Sequence, residues 1–106
     1  MSITIAKATV LVSDMVDIFE QVYWESPSIT IKNQCFNLVR TMQQEMTELT
    51  KVSVQDHHYD YEVITCSGEK IVAGITKLDD LLKSEVMRNQ TQSQFQILVK
   101  QALSAF

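Results

Sequence analysis

The sequence predicts an all-α fold, a helical bundle or long helical hairpin of about four helices, and three observations point there. Two glycines and one proline in 106 residues leave few turns, against roughly seven and five at average usage. Apolar residues recur at alternating steps of three and four along most of the chain, the period of a helix with one buried face. The evenly spaced turn residues that a sandwich or barrel needs are missing. With 45% hydrophobic and 21% charged residues the composition is that of a folded globular protein, and the length suits a single helical domain, 1–106.

The first helix is expected over about 5–24, where Ala8, Val12, Met15, Phe19 and Val22 form one stripe. Leu11, Val16, Ile18 and Tyr23 widen it, leaving Ser13, Asp14, Asp17, Glu20 and Gln21 as a narrow wet strip. So broad an apolar face belongs to a helix central to a bundle or shared with another chain. Trp24 falls on the strip with Asp17 and Glu20, so it is expected in water unless another chain covers it.

Ser26-Pro27 reads as the N-cap and first residue of a second helix. No glycine or proline follows until Gly68. Alternating steps from Ile31 through Cys35, Leu38, Met42, Glu45, Leu49, Val52, Asp56, Tyr59, Val63 and Cys66 are apolar at nine of eleven positions. These predict a helix over 27–66, with a break around 53–58 as a variant. Unbroken over 28–66 it would be about 58 Å long, a rod that needs a partner. The alternative is an α+β fold. Tyr59 to Cys66 also alternates as a strand would, and Ser67-Gly68 would turn it into Ile71-Val72-Ala73 as a small hairpin around 59–73. The helix is preferred because an isolated two-stranded ribbon is marginal; Gly68 then ends it in the left-handed conformation.

A third helix is expected over 69–88 on the stripe Ile71, Ile75, Leu78, Leu82 and Val86, with Gly74 marking a close helix–helix approach. The fourth, over 92–106, opens on Thr91-Gln92-Ser93-Gln94 as a capping box. It continues through Phe95, Leu98, Val99, Ala102 and Phe106.

Thirteen acidic against nine basic side chains give a net charge of -4, with Arg40 and Arg88 as the guanidinium groups. Nucleic acid is not an expected partner, since phosphate binding needs a clustered basic face. No membrane span or basic-then-apolar leader is readable, and two cysteines do not make a disulfide scaffold, so a cytoplasmic protein with reduced thiols is expected. Two glycines cannot build the usual phosphate loops or nucleophile elbows. Cys35 and Cys66 sit on the apolar stripe, which suits packing better than nucleophilic work. The chain is therefore expected not to be an enzyme and to need no cofactor.

The expected work is protein binding by a small helical adaptor, chaperone or inhibitor, acting as an oligomer, with a homodimer favoured. Met15, Phe19, Tyr23, Trp24, Met42 and Met46 are the expected partner-binding residues, because methionine adapts to varied apolar shapes and aromatics supply contact area. Glu45 joins them as the charge that interrupts the seam, placed to fix register or meet a basic partner group. The alternative is a small-molecule or metal-binding helical protein, with hydrolysis as its activity. Its site would lie near His57 and His58, with Glu62 one helical turn beyond His58 as a further ligand.

Overall fold

The structure, a computed structural model, describes residues 3–85 and 88–106. Four helices follow one another: α1 (Ile5–Glu25), α2 (Ile29–Leu49), α3 (Gly68–Leu82) and α4 (Asn89–Ala105), with a short 3-10 turn at Val54–Asp56 between α2 and α3. The fold is an all-α bundle, with no strand among the described residues beyond an isolated bridge between Thr4 and Asp60. The hairpin around 59–73, the alternative to a helix there, does not form among the described residues.

α1 packs against α2 along its length and against α4 on its other side, α2 packs against α3, and α3 meets α4 only lightly. The α1–α2 connection is short, whereas a largely irregular segment over 50–67 joins α2 to α3. The molecule measures 43 × 21 × 21 Å. Its core is the set of stripes expected from periodicity. Ala8, Val12, Met15, Phe19 and Val22 of α1 face Ile31, Cys35, Leu38, Met42 and Leu49 of α2, Ile71, Ile75, Leu78 and Leu82 of α3, and Phe95, Leu98, Val99 and Ala102 of α4, all buried. Phe19 and Phe95 meet edge to face at 6.5 Å across α1 and α4, a favoured aromatic geometry. Val86, expected to extend the α3 stripe, lies outside the described residues.

The main correction concerns α2, which ends at Leu49 and does not run to 66. Lys51 and Val52 donate to the carbonyls of Glu48 and Leu49 in a tightening last turn, and Ser53 then caps the 3-10 turn by accepting from the Gln55 amide. The chain from 57 to 61 turns its backbone to another use. The carbonyls of Tyr59 and His57 accept from the amides of Ile5 and Ala6 at 2.9 and 3.1 Å, and the Tyr61 amide donates to the Ile3 carbonyl at 2.7 Å. The first amides of any helix have no partner within it, and here the loop supplies two of the missing acceptors. A continuous helix through 57–61 would have bound those carbonyls internally. The 58 Å rod therefore does not exist, and with it goes the length argument for a second chain; α2 spans about 32 Å.

The remaining boundaries shift by a residue or more. Ser28, not Ser26, caps α2, accepting from the Ile31 amide; Pro27 precedes the cap, and the Ser26 hydroxyl accepts from the Ser28 amide. Ser67 caps α3 by accepting from the Lys70 amide, so Ser67-Gly68 begins a helix where it was expected to end one, and no described residue has a positive φ. α3 stops at Leu82, short of 88. α4 starts at Asn89 without a side-chain cap, so Thr91 is inside the helix and no capping box forms. The Thr91 side chain is instead buried against α1. Its hydroxyl donates to Glu25 Oε2 at 2.6 Å and accepts from Gln21 Nε2 at 3.0 Å.

Candidate functional site

The seven residues expected to bind a partner divide sharply. Met15, Phe19 and Met42 are fully buried within the chain, which corrects their assignment as anchors: their side chains hold α1 and α2 to the rest of the bundle and offer nothing to a second protein. Met46 and Tyr23 are half-buried against the same core. Trp24 is the exception, with 77% of its surface in water at the end of α1.

The Trp24 corner is built by the tight α1–α2 connection. Lys32, on the first turns of α2, donates from Nζ to the Tyr23 carbonyl at 2.8 Å, meeting one of the unpaired carbonyls that end α1. The same ammonium lies 4.4 Å from the Tyr23 ring centre and 5.7 Å from that of Trp24, where the electron-rich ring faces attract a cation. Tyr23 and Trp24 meet edge to face at 5.2 Å. Ile29 and Phe36, 70% and 53% exposed, stand three residues before Lys32 and four after it, hence on one side of α2. The indole thus touches Tyr23 and Lys32 while most of its surface stays in water. Ile29 and Phe36 were missed in the sequence. Their signal was positional, as apolar side chains lying off the stripe of Ile31, Cys35, Leu38 and Met42.

Glu45 is fully buried and is no partner residue. It accepts from the Tyr61 hydroxyl at 2.5 Å, the Ile64 amide at 3.0 Å, the Thr65 amide at 3.0 Å and the Thr65 hydroxyl at 2.8 Å. All four are neutral donors on the irregular segment after α2, so the carboxylate anchors that segment to the bundle. Burial, together with the Glu45 hydrogen bond and charge, pushes the Tyr61 hydroxyl well above the ordinary tyrosine range.

The alternative metal site loses its geometry. His57, His58 and Glu62 lie on the irregular segment, so the helical face that would have aligned His58 with Glu62 is not formed. His57 Nε2 lies 3.3 Å from the Val52 carbonyl, and His58 lies against Tyr59 with ring centres 4.3 Å apart. Among the described residues no group of three or more His, Cys, Asp or Glu is placed to hold a metal ion. Cys35 and Cys66 are both free; Cys35 is buried, and burial pushes its thiol up to about 11, far from a reactive thiolate. Among the described residues no helix is long and apolar enough to cross a membrane. Comparison with known protein families, curated proteins and solved structures finds no match for this chain.

Proposed function

We propose that this chain is a non-catalytic protein-interaction module, a small cytoplasmic adaptor, chaperone or inhibitor that self-associates as a dimer and binds through the corner formed by Trp24, Ile29 and Phe36. The observation that carries this reading is the exposure of Trp24, at 77%, beside Tyr23 and Lys32. Tryptophan is among the residue types enriched in binding hot spots, and Ile29 and Phe36 add exposed apolar surface on the side of α2 that carries Lys32. The free thiols of Cys35 and Cys66 suit a reducing compartment.

Trp24 is the single tryptophan of the chain, so its emission reports on this corner alone. The test is sedimentation velocity and tryptophan emission across a dilution series, with Ile29→Glu/Phe36→Glu as the control that keeps the indole. The expected result is that mass rises toward the dimer while emission moves to shorter wavelength as the indole leaves water, and that both changes vanish in the control. A wild-type chain that stays monomeric with constant emission through the high-micromolar range overturns self-association through this corner.

A further inference from the structure

Between the N-terminal half of α1 and the C-terminal half of α4 lies an open groove of about 760 Å³, far from the Trp24 corner. This volume is within the range of small-molecule sites, roughly 300–1,000 Å³. Its apolar lining comes from α1 and the residues leading into it: Ile3, Ala6, Val10 and Leu11. Val10 is 61% exposed, an aliphatic side chain that the bundle leaves uncovered.

The charges on the lining are the informative part. Lys7 on α1 and Lys100 on α4 stand on opposite walls, so two of the nine basic groups of an acidic protein border one apolar groove. Asp14, toward the middle of α1, offsets one of them and leaves the described lining residues with a single net positive charge. Such a lining complements a ligand with one negative charge and a hydrocarbon body. A cation is repelled by the lysine pair, and a doubly charged phosphate is opposed by Asp14 and further along the same face by Asp17. The lysine stems are themselves four methylenes long, so each can lie along a hydrocarbon tail while its ammonium reaches the head group.

We propose that this groove binds one free fatty-acid anion, its tail against Ile3, Ala6, Val10 and Leu11 and its carboxylate between Lys7 and Lys100. The site is separate from the Trp24 corner and stands or falls independently of it.

The test is isothermal titration calorimetry of the intact chain with sodium dodecanoate below its micelle threshold. Decanoate, dodecyltrimethylammonium and anionic phospholipid vesicles serve as comparisons. One dodecanoate per chain is expected, with each methylene removed weakening binding about two- to fourfold, as burial of part or all of a CH₂ requires. Lys7→Glu/Lys100→Glu is expected to weaken binding at least tenfold, and Val10→Asp to abolish it. All three positions are exposed, so the helical circular dichroism of both variants should match the parent. If Val10→Asp fails that control, the lysine variant decides. Unsaturable binding, equal binding of the cationic amphiphile, binding to vesicles but not to the free acid, or affinity unchanged in the lysine variant each overturns the proposal.

Discussion

A carboxylate wholly out of water must have its oxygens met by donors that replace the lost hydration. Glu45 meets that condition through the hydroxyls of Tyr61 and Thr65 and the amides of Ile64 and Thr65, and this sets what substitution does. Glutamine at this position turns an amino group toward donors, leaving at least one of them unpaired at about 1–3 kcal/mol. Glu45→Gln is therefore expected to lower stability by that amount in urea unfolding, and Glu45→Ala by more because all four donors lose their acceptor. Amide exchange at Ile64 and Thr65 should quicken in both variants while that of α1 core amides keeps pace only with the global loss. An unchanged urea midpoint in Glu45→Gln would mean that the anchor contributes nothing. The sequence marks Glu45 as a charge in an apolar seam, which is its true position. It does not reveal that the donors are 16 to 20 residues away in the same chain, because a charge in a seam looks the same whether its partner is internal or external.

At the scale of elements, periodicity located the buried stripes of α1, α2 as far as Leu49, α3 as far as Leu82 and α4, failed over 52–66, and misplaced most of the boundaries. The stripes follow from burial, which acts on each residue in turn. Caps depend on one side-chain oxygen, and Ser26 and Ser28 offer the same oxygen two residues apart. The stretch 52–66 continues the helical period and, from Tyr59 to Cys66, also suits a strand; it forms neither because carbonyls at 57 and 59 serve α1 and amides at 64 and 65 serve Glu45. Gly74 was legible. A Cβ there would stand 2.9 Å from Leu38 Cδ2, and the Gly74 carbonyl accepts from Gln34 Nε2 at 2.9 Å, so α2 and α3 do approach closely at this point. Alanine at 74 gains about 1 kcal/mol of helix propensity, but moving the Leu38 methyl within a packed core costs about 1–3 kcal/mol. Gly74→Ala is thus expected to destabilise by up to about 2 kcal/mol, and to stabilise when introduced beside Leu38→Ala, where the methyl has room. A double-mutant cycle in urea reads this reversal of sign; an equal cost in both backgrounds would show that Leu38 is not the group Gly74 accommodates.

The whole molecule leaves 6505 Å² in water, modestly above the roughly 6,000 Å² that a monomer of this mass usually exposes. The excess agrees with the long axis of 43 Å and is too small to demand a second chain, so the association proposed above is argued from the Trp24 corner and not from bulk apolar surface. Stability of the whole chain should fall in alkali for a definite reason. Burial raises the Cys35 thiol from 9.0 to about 11, and burial with the Glu45 contact raises the Tyr61 hydroxyl above its ordinary value of 10.0. Both groups lose their protons more readily in the unfolded chain, so their contribution is complete below pH 9 and is lost as pH climbs through 9 to 11 and beyond. The urea midpoint is expected to decline from pH 9 upward, and less steeply in Cys35→Ala. A midpoint constant to pH 11 would contradict the burial of both groups.

The wet indole at position 24 also has an optical consequence. Its surroundings are aqueous in the folded monomer and in the denatured chain, so the tryptophan is nearly blind to unfolding of the monomer. Melting and denaturant curves for this protein belong to far-ultraviolet dichroism, and a colour change in the emission reports contact with another molecule, not loss of the fold.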